Sequence, residues 1–301
     1  MNPAVLSAVG DKPVLRFERE LAHSPAKVWR AITEPAEMAR WFPALIAAEL
    51  KPGAKMEFTF PGEDEPSYGE ILEYDSPKVY AFRWNADVLR FEILPAASGC
   101  VLVFTHTMAE GARFTAHRTA AGWDTCLAAL SAELDGRTEE PLDHRPLMTS
   151  YLREYEVARG EVTDDGVVFR LDVVWRAFDT VWAALSGGKP VELGQEPPLP
   201  FTIGPVPAGE VTAVDAPQDL TYRWLHDGEP AGLVRWRLVH DPELATHVEL
   251  TQTIPAKLSG VRATVLAAWQ IRLEQLFTEL VLGDRPAWPE QRFAELVQRY
   301  R

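Results

Sequence analysis

The stretch Gly69–Trp84, GEILEYDSPKVYAFRW, decides the fold, because it returns 140 residues later as Gly209–Trp224, GEVTAVDAPQDLTYRW. Both copies keep Gly-Glu, an aspartate and then a proline at matching places, and a closing aromatic-Arg-Trp, Phe82-Arg83-Trp84 and Tyr222-Arg223-Trp224. The chain therefore reads as a duplication. Each copy is two strands about a turn, with Asp75-Ser76-Pro77 or Asp215-Ala216-Pro217 supplying the turn chemistry. In the second strand Tyr80, Phe82 and Trp84 share one face with period two, as do Leu220, Tyr222 and Trp224, while Arg83 and Arg223 face the other way.

A length of 301 residues fits two domains of roughly 150 residues, the number the repeat implies on its own. The net charge of -14 divides evenly: residues 1–145 hold 15 basic and 22 acidic side chains, which leaves the same numbers for the rest, or -7 in each half. Even acidity with no basic face argues against nucleic acid and against an anionic membrane surface as partners. Two cysteines, Cys100 and Cys126, are too few for a disulfide framework, so a reducing, cytoplasmic setting is expected. No signal-peptide pattern opens the chain, and no apolar run approaches the ~20 residues of a membrane helix.

Outward from the repeat, residues 1–12 carry no period and read as a loose lead-in. A strand is expected over Val14–Leu21. Ser24-Pro25 then starts a helix as capping hydroxyl and first-position proline, with Val28, Trp29 and Ile32 on one face. A short helix, Pro35–Trp41, leads to Trp41-Phe42-Pro43. Strands follow at Ala47–Leu50, Lys55–Phe60, the repeat stretch, Val88–Leu94 and Val101–Met108. Beyond Gly111 the period becomes 3.6, with Trp123, Leu127, Leu130 and Leu134 along one side of a helix ending at Asp135-Gly136. Residues 1–145 form the first domain in this reading, 146–160 a linker with a helix over Leu147–Arg159, and 161–301 the second domain. There Val167–Val174 is a strand, Phe201-Thr202-Ile203 answers Phe58-Thr59-Phe60, Val234–Leu238 answers Leu89–Ile93, and Val248–Ile254 answers Leu102–Met108. The long helix returns over Ser259–Leu282, with Trp269 in the phase of Trp123. A last amphipathic helix, Pro289–Tyr300, is appended.

At Ser24–Pro35 (SPAKVWRAITEP), Arg40-Trp41-Phe42 and Gly122–Leu127 (GWDTCL), the first copy resembles the bacterial family named after the activator of Hsp90 ATPase, within the START and Bet v 1-like superfamily. The resemblance covers Val14–Arg137 well and Val167–Arg285 more weakly. It implies an α+β helix-grip fold, an antiparallel sheet wrapped around the long C-terminal helix with a hydrophobic cavity between them, and a lid role for Trp41-Phe42. The eukaryotic co-chaperone's asparagine-rich motif has no counterpart in a chain with two asparagines, Asn2 and Asn85, so an Hsp90-type chaperone stands only as an alternative partner.

The residues expected to face the interior are Trp41, Phe58, Phe82, Trp84, Phe91, Phe104, His106 and Trp123 in the first copy, and Trp224, Trp236, Gln252 and Trp269 in the second. The strand His247–Ile254 places Glu249 and Thr251 outside, so Val248, Leu250, Gln252 and Ile254 point in; the offset of 146 carries this to Leu102, Phe104, His106 and Met108. An inward polar residue in both copies needs a partner: a ligand, a water or a neighbouring side chain. A satisfied structural histidine weighs more than a catalytic one. Glu70 and Glu210 read as cross-strand partners of Arg83 and Arg223 rather than as acids or bases. No metal-ligand spacing, nucleophile elbow, phosphate loop or dinucleotide fingerprint is present, so no cofactor or metal is expected. The reading is a non-catalytic binder of an apolar or amphipathic small molecule, mainly through the first domain. The alternatives are a cyclase- or dehydratase-like enzyme using His106, and a co-chaperone-like protein-binding module.

Overall fold

The computed structural model describes residues 3–62, 65–138, 142–173, 176–241 and 245–301. The chain divides into two compact units, Met1–Met148 and Thr149–Arg301. In the first, β1 (Val5–Val9) and β2 (Lys12–Leu21) precede α1 (Pro25–Thr33) and α2 (Pro35–Met38). Then come β3 (Leu45–Ala48), β4 (Lys55–Thr59), β5 (Ser67–Asp75), β6 (Val79–Trp84), β7 (Asp87–Pro95), β8 (Cys100–Thr107) and α3 (Ala116–Asp135). The eight strands form one antiparallel sheet in the order β1-β2-β8-β7-β6-β5-β4-β3.

Helix starts and stops follow their capping chemistry. The Ser24 hydroxyl accepts from the Lys27 N–H at the N-terminus of α1, with Pro25 in the first turn, and Gly136 closes α3 in the left-handed region. In the first copy the glycine of Gly-Glu has a steric reason. A Cβ on Gly69 would stand 2.0 Å from the Arg83 carbonyl oxygen and 2.9 Å from the Phe58 ring. Both repeats carry an irregularity in that same strand, between Ile71 and Glu73 and between Val211 and Ala213, and both turn prolines, Pro77 and Pro217, are preceded by cis peptide bonds.

The inner face of the sheet is read in rows across the strands. Tyr80, Phe91, Phe104 and Phe17 pair in sequence, and beside them run Phe82, Leu89, His106 and Leu15. α3 lies over these rows, with Trp123 edge-on to Phe104 at 4.6 Å. Arg19 also faces inward and is paired with Asp124 of α3, both nearly buried.

A helix α4 (His144–Glu154) contains the division between the units. The second unit has β9 (Glu161–Val162), β10 (Gly166–Asp172), α5 (Phe178–Ser186), β11 (Ala208–Asp215), β12 (Asp219–His226), β13 (Glu229–Asp241), β14 (Ala245–Thr253), α6 (Arg262–Leu282) and α7 (Glu290–Arg299). Its six strands are ordered β11-β12-β13-β14-β10-β9 among the described residues. α7 packs on α6, where Leu296, Ala267 and Ile271 are buried together beside Phe293, Val297 and Tyr300.

Three expectations need correction. Residues 5–9 are an edge strand, not a loose lead-in. The linking helix runs His144–Glu154, beginning earlier and ending sooner than the composition suggested. Phe201-Thr202-Ile203 is not the counterpart of β4. Leu199–Phe201 is a 3-10 turn, and Ile203 makes one isolated bridge to Val206, because Pro197, Pro198 and Pro200 remove the backbone donors a ladder strand needs. The predicted strand end at Val174 and the linker residues 139–141 lie outside the described residues.

Candidate functional site

Trp41, Phe58, Phe82, Trp84, Phe91, Phe104, His106 and Trp123 come together as one continuous cluster between the sheet and α3. Phe91 stacks on Phe104 at 4.4 Å, Phe58 on Trp84 at 4.8 Å, and Trp41 stands edge-on to Phe91 at 6.1 Å. A residue not in the predicted set sits at the centre. Phe42, on the segment between α2 and β3, reaches Trp123 at 5.6 Å, Trp84 at 5.7 Å, Phe82 at 6.2 Å and Phe58 at 6.5 Å. Its neighbour Trp41 donates its indole N–H to the Ala31 carbonyl at 2.8 Å, which ties that ring to α1. The Trp41-Phe42 pair is thus folded into the interior rather than spread across its mouth.

His106 has both ring nitrogens engaged by the protein. Trp123 donates its indole N–H to Nδ1 at 2.8 Å, so Nδ1 is the acceptor and the ring proton sits on Nε2, which donates to Asp87 Oδ2 at 2.8 Å. Asp87 Oδ1 accepts from the Ala109 N–H at 2.7 Å, pinning the chain as it leaves β8. This chain of donors and acceptors fixes a neutral tautomer and holds α3 to the sheet. Asp87 gives no signal of this role in the sequence, because it follows the Asn85-Ala86 turn and reads as turn chemistry. The polar switch from His106 to Gln252 was the signal that a partner lay nearby.

The second unit repeats the contact with different atoms. Gln252 sits opposite Val234 and Val167 as His106 sits opposite Leu89 and Leu15, and Trp269 donates to its Oε1 at 2.6 Å. The register puts Gly232 where the first unit has Asp87. A Cβ there would stand 2.5 Å from Trp224 Nε1 and from the Thr253 carbonyl oxygen, the two atoms that bond each other at 2.8 Å. Gln252 Nε2 consequently has no partner among the described residues. Trp236, Trp269 and Gln252 are brought together, with the two indoles edge-on at 5.5 Å, whereas Trp224, also buried, donates its indole N–H to the Thr253 carbonyl.

The loop over the second interior is clamped. The Phe201 carbonyl accepts from the Tyr222 hydroxyl at 2.9 Å and from Trp236 Nε1 at 3.1 Å, and the Thr202 carbonyl from Arg272 Nε at 2.9 Å. The Phe201 ring meets Trp182 at 5.3 Å and Trp236 at 5.7 Å, so it stands on Trp236 as Trp41 stands on Phe91.

Glu70 pairs with Arg83 at 3.5 Å and Glu210 with Arg223 at 3.2 Å, both on exposed sheet surface. Burial pushes the Cys126 thiol up to about 11 and raises Cys100 as well. His117, at the start of α3, is wholly buried, and burial first, then the Arg118 charge, hold it down to about 3. Among the described residues no group of three His, Cys, Asp or Glu side chains is arranged to hold a metal ion, and no helix is long and apolar enough to cross a membrane.

Two units, each an antiparallel sheet with a long helix laid on its inner face, define the helix-grip class of α+β domain. Residues 22–135, within the first unit, match the model of the family described as Activator of Hsp90 ATPase homolog 1-like protein. No curated protein matches the chain. Among solved structures, a conserved protein of unknown function from Enterococcus faecalis is 22% identical, with 51% of this chain and 90% of that one covered and a TM-score of 0.45. CalU16 from Micromonospora echinospora is 17% identical, covering 48% and 86% with a TM-score of 0.38. A Bordetella parapertussis protein is 24% identical, covering 52% and 90% with a TM-score of 0.40.

Proposed function

We propose that the first unit binds an apolar or amphipathic small molecule between its sheet and α3, and that the second unit is mainly structural. The fold class commonly binds hydrophobic ligands or proteins. The observation that carries the finer reading is Phe42: a side chain from a connecting segment, not from the sheet or α3, fills the centre of the aromatic cluster. Such a ring can leave without breaking a strand or a helix, and a ligand of similar shape would take over its contacts with Phe58, Phe82, Trp84 and Trp123. The matching loop of the second unit is held by three side-chain hydrogen bonds to its backbone, so its opening costs all three.

The state of His106 favours binding over catalysis. A general acid or base must reach the substrate, and here Trp123 and Asp87 occupy both nitrogens. Native mass spectrometry of the freshly purified full chain tests the reading: a bound small molecule, one per chain and released on unfolding, is expected. A chain at its bare mass that also fails to take up neutral aromatic probes at saturating concentration would contradict it.

A further inference from the structure

The interior of the first unit holds a wholly buried tyrosine whose hydroxyl has no hydrogen-bond partner among the described residues. Tyr80 is 0% exposed, and no donor or acceptor of the described residues reaches its oxygen. Its ring lies 5.1 Å from Phe82 and 6.0 Å from Tyr74, and across the strands it pairs with Phe91. The second unit shows how such a group is normally settled. One position along the inner face, its tyrosine, Tyr222, donates to the Phe201 carbonyl, and the position matching Tyr80 is the aliphatic Leu220. An unsatisfied buried hydroxyl carries a desolvation penalty that a phenylalanine would avoid. Its retention in the unit with the displaceable ring, and its absence from the unit with the clamped loop, point to a partner that is not part of the chain.

We infer that the Tyr80 hydroxyl is the polar anchor of the first unit's ligand site and donates to one uncharged oxygen of an otherwise apolar, ring-sized ligand, such as a ketone, an ester carbonyl or an ether. The ring neighbours of Tyr80 are themselves uncharged and aromatic, a setting in which a neutral oxygen costs far less to bury than a carboxylate or phosphate. The phenol stays protonated in this setting, burial raising it above its ordinary range. This inference rests on the binding reading above and specifies the chemistry of that same site.

Two neutral naphthalene probes separate the possibilities on the full chain: 6-propionyl-2-dimethylaminonaphthalene, which carries one ketone and reports hydrogen bonding in its emission, and 2-dimethylaminonaphthalene, which lacks the ketone. In the wild-type chain the ketone probe is expected to bind more tightly than its ketone-free analogue. Tyr80→Phe, which removes one oxygen from a buried ring, should weaken the ketone probe by roughly fivefold to tenfold and shift its emission to the blue, leaving the ketone-free probe within about twofold. Equal loss for both probes would make Tyr80 a packing residue and overturn the inference. Unchanged ketone affinity and emission would overturn it too, and would mean that a buried water satisfies the hydroxyl while the binding reading stands. Binding of neither probe to either protein would sink both.

Discussion

Trp269 donates its indole N–H to Gln252 in the place where Trp123 donates to His106, so the long helix of each unit is bolted to its sheet by the same donor and two different acceptors. The common element is the tryptophan; the acceptor is free to vary as long as it presents a lone pair at that point. His106→Gln should therefore be tolerated, costing less than about 1.5 kcal/mol, because Gln can accept from Trp123 and donate to Asp87. His106→Leu strands the Trp123 N–H and should cost about 2–4 kcal/mol. Urea unfolding of the full chain, following the transition that these variants move, checks the order; equal losses would show that the ring packs rather than accepts.

The buried pair Arg19–Asp124 has an internal control in the second unit, where the matching positions are Leu171 and Gln270 and the latter accepts from Tyr300 at 2.6 Å. Arg19→Leu alone removes the cation that faces a buried carboxylate and is expected to cost about 3–5 kcal/mol. Arg19→Leu with Asp124→Gln should recover at least half of that. A double variant no more stable than the single one would contradict this account of the pair.

His117 gives the first unit a dependence on acid. Its folded value of about 3 lies below the ordinary histidine range near 6.5, so between these the unfolded chain holds a proton that the folded chain refuses. Its contribution is whole above about pH 6.5 and declines as the pH falls toward 3, with a slope approaching 1.4 kcal/mol per pH unit. His117→Gln should flatten the pH dependence of unfolding between pH 5 and 6.5, a window in which ordinary carboxylates stay ionised. An unchanged slope there would show that another group takes up the proton.

The two thiols should be quiet. With Cys100 buried and Cys126 raised to about 11, alkylation by iodoacetamide at pH 8 is expected to be far slower in the folded chain than in urea. Prompt labelling of Cys100 in the folded protein would mean that β8 opens readily, and prompt labelling of the half-buried Cys126 would mean that its thiol is not held up.

Much of the architecture was legible because the duplicated stretch fixes one hairpin in each half, and period-two and period-3.6 patterns extend from it. What escaped has identifiable causes. β1 has four of its five residues exposed, so it shows no alternation, and only the two-residue turn Gly10-Asp11 announced it. Phe201-Thr202-Ile203 imitates Phe58-Thr59-Phe60 in side chains, yet the prolines before it decide the backbone. Within the candidate site, the inward faces were readable residue by residue, whereas the Asp87–His106–Trp123 chain joins three separate elements and exists only once the register brings them together. Phe42 reads as half of a lid pair, but nothing local in the sequence says that its ring is sunk among Phe58, Phe82 and Trp123.

We propose further that the two halves fold independently. A chain ending at Arg137 and one beginning at His144, which keeps α4 whole, should each unfold cooperatively. If neither shows a cooperative transition while the full chain does, the halves depend on each other.

The central claim is that the first unit's interior accepts a ligand in place of Phe42 while the second stays closed. A crystal structure of the full chain grown with saturating 6-propionyl-2-dimethylaminonaphthalene tests this most directly. The account predicts the probe lying between α3 and the rows of Phe82 and Phe91, its ketone oxygen within hydrogen-bonding distance of the Tyr80 hydroxyl, Phe42 swung out, and Phe201 unmoved beneath its three hydrogen bonds. A probe seated in the second unit, or an interior at saturation with Phe42 still packed on Trp123, would contradict it.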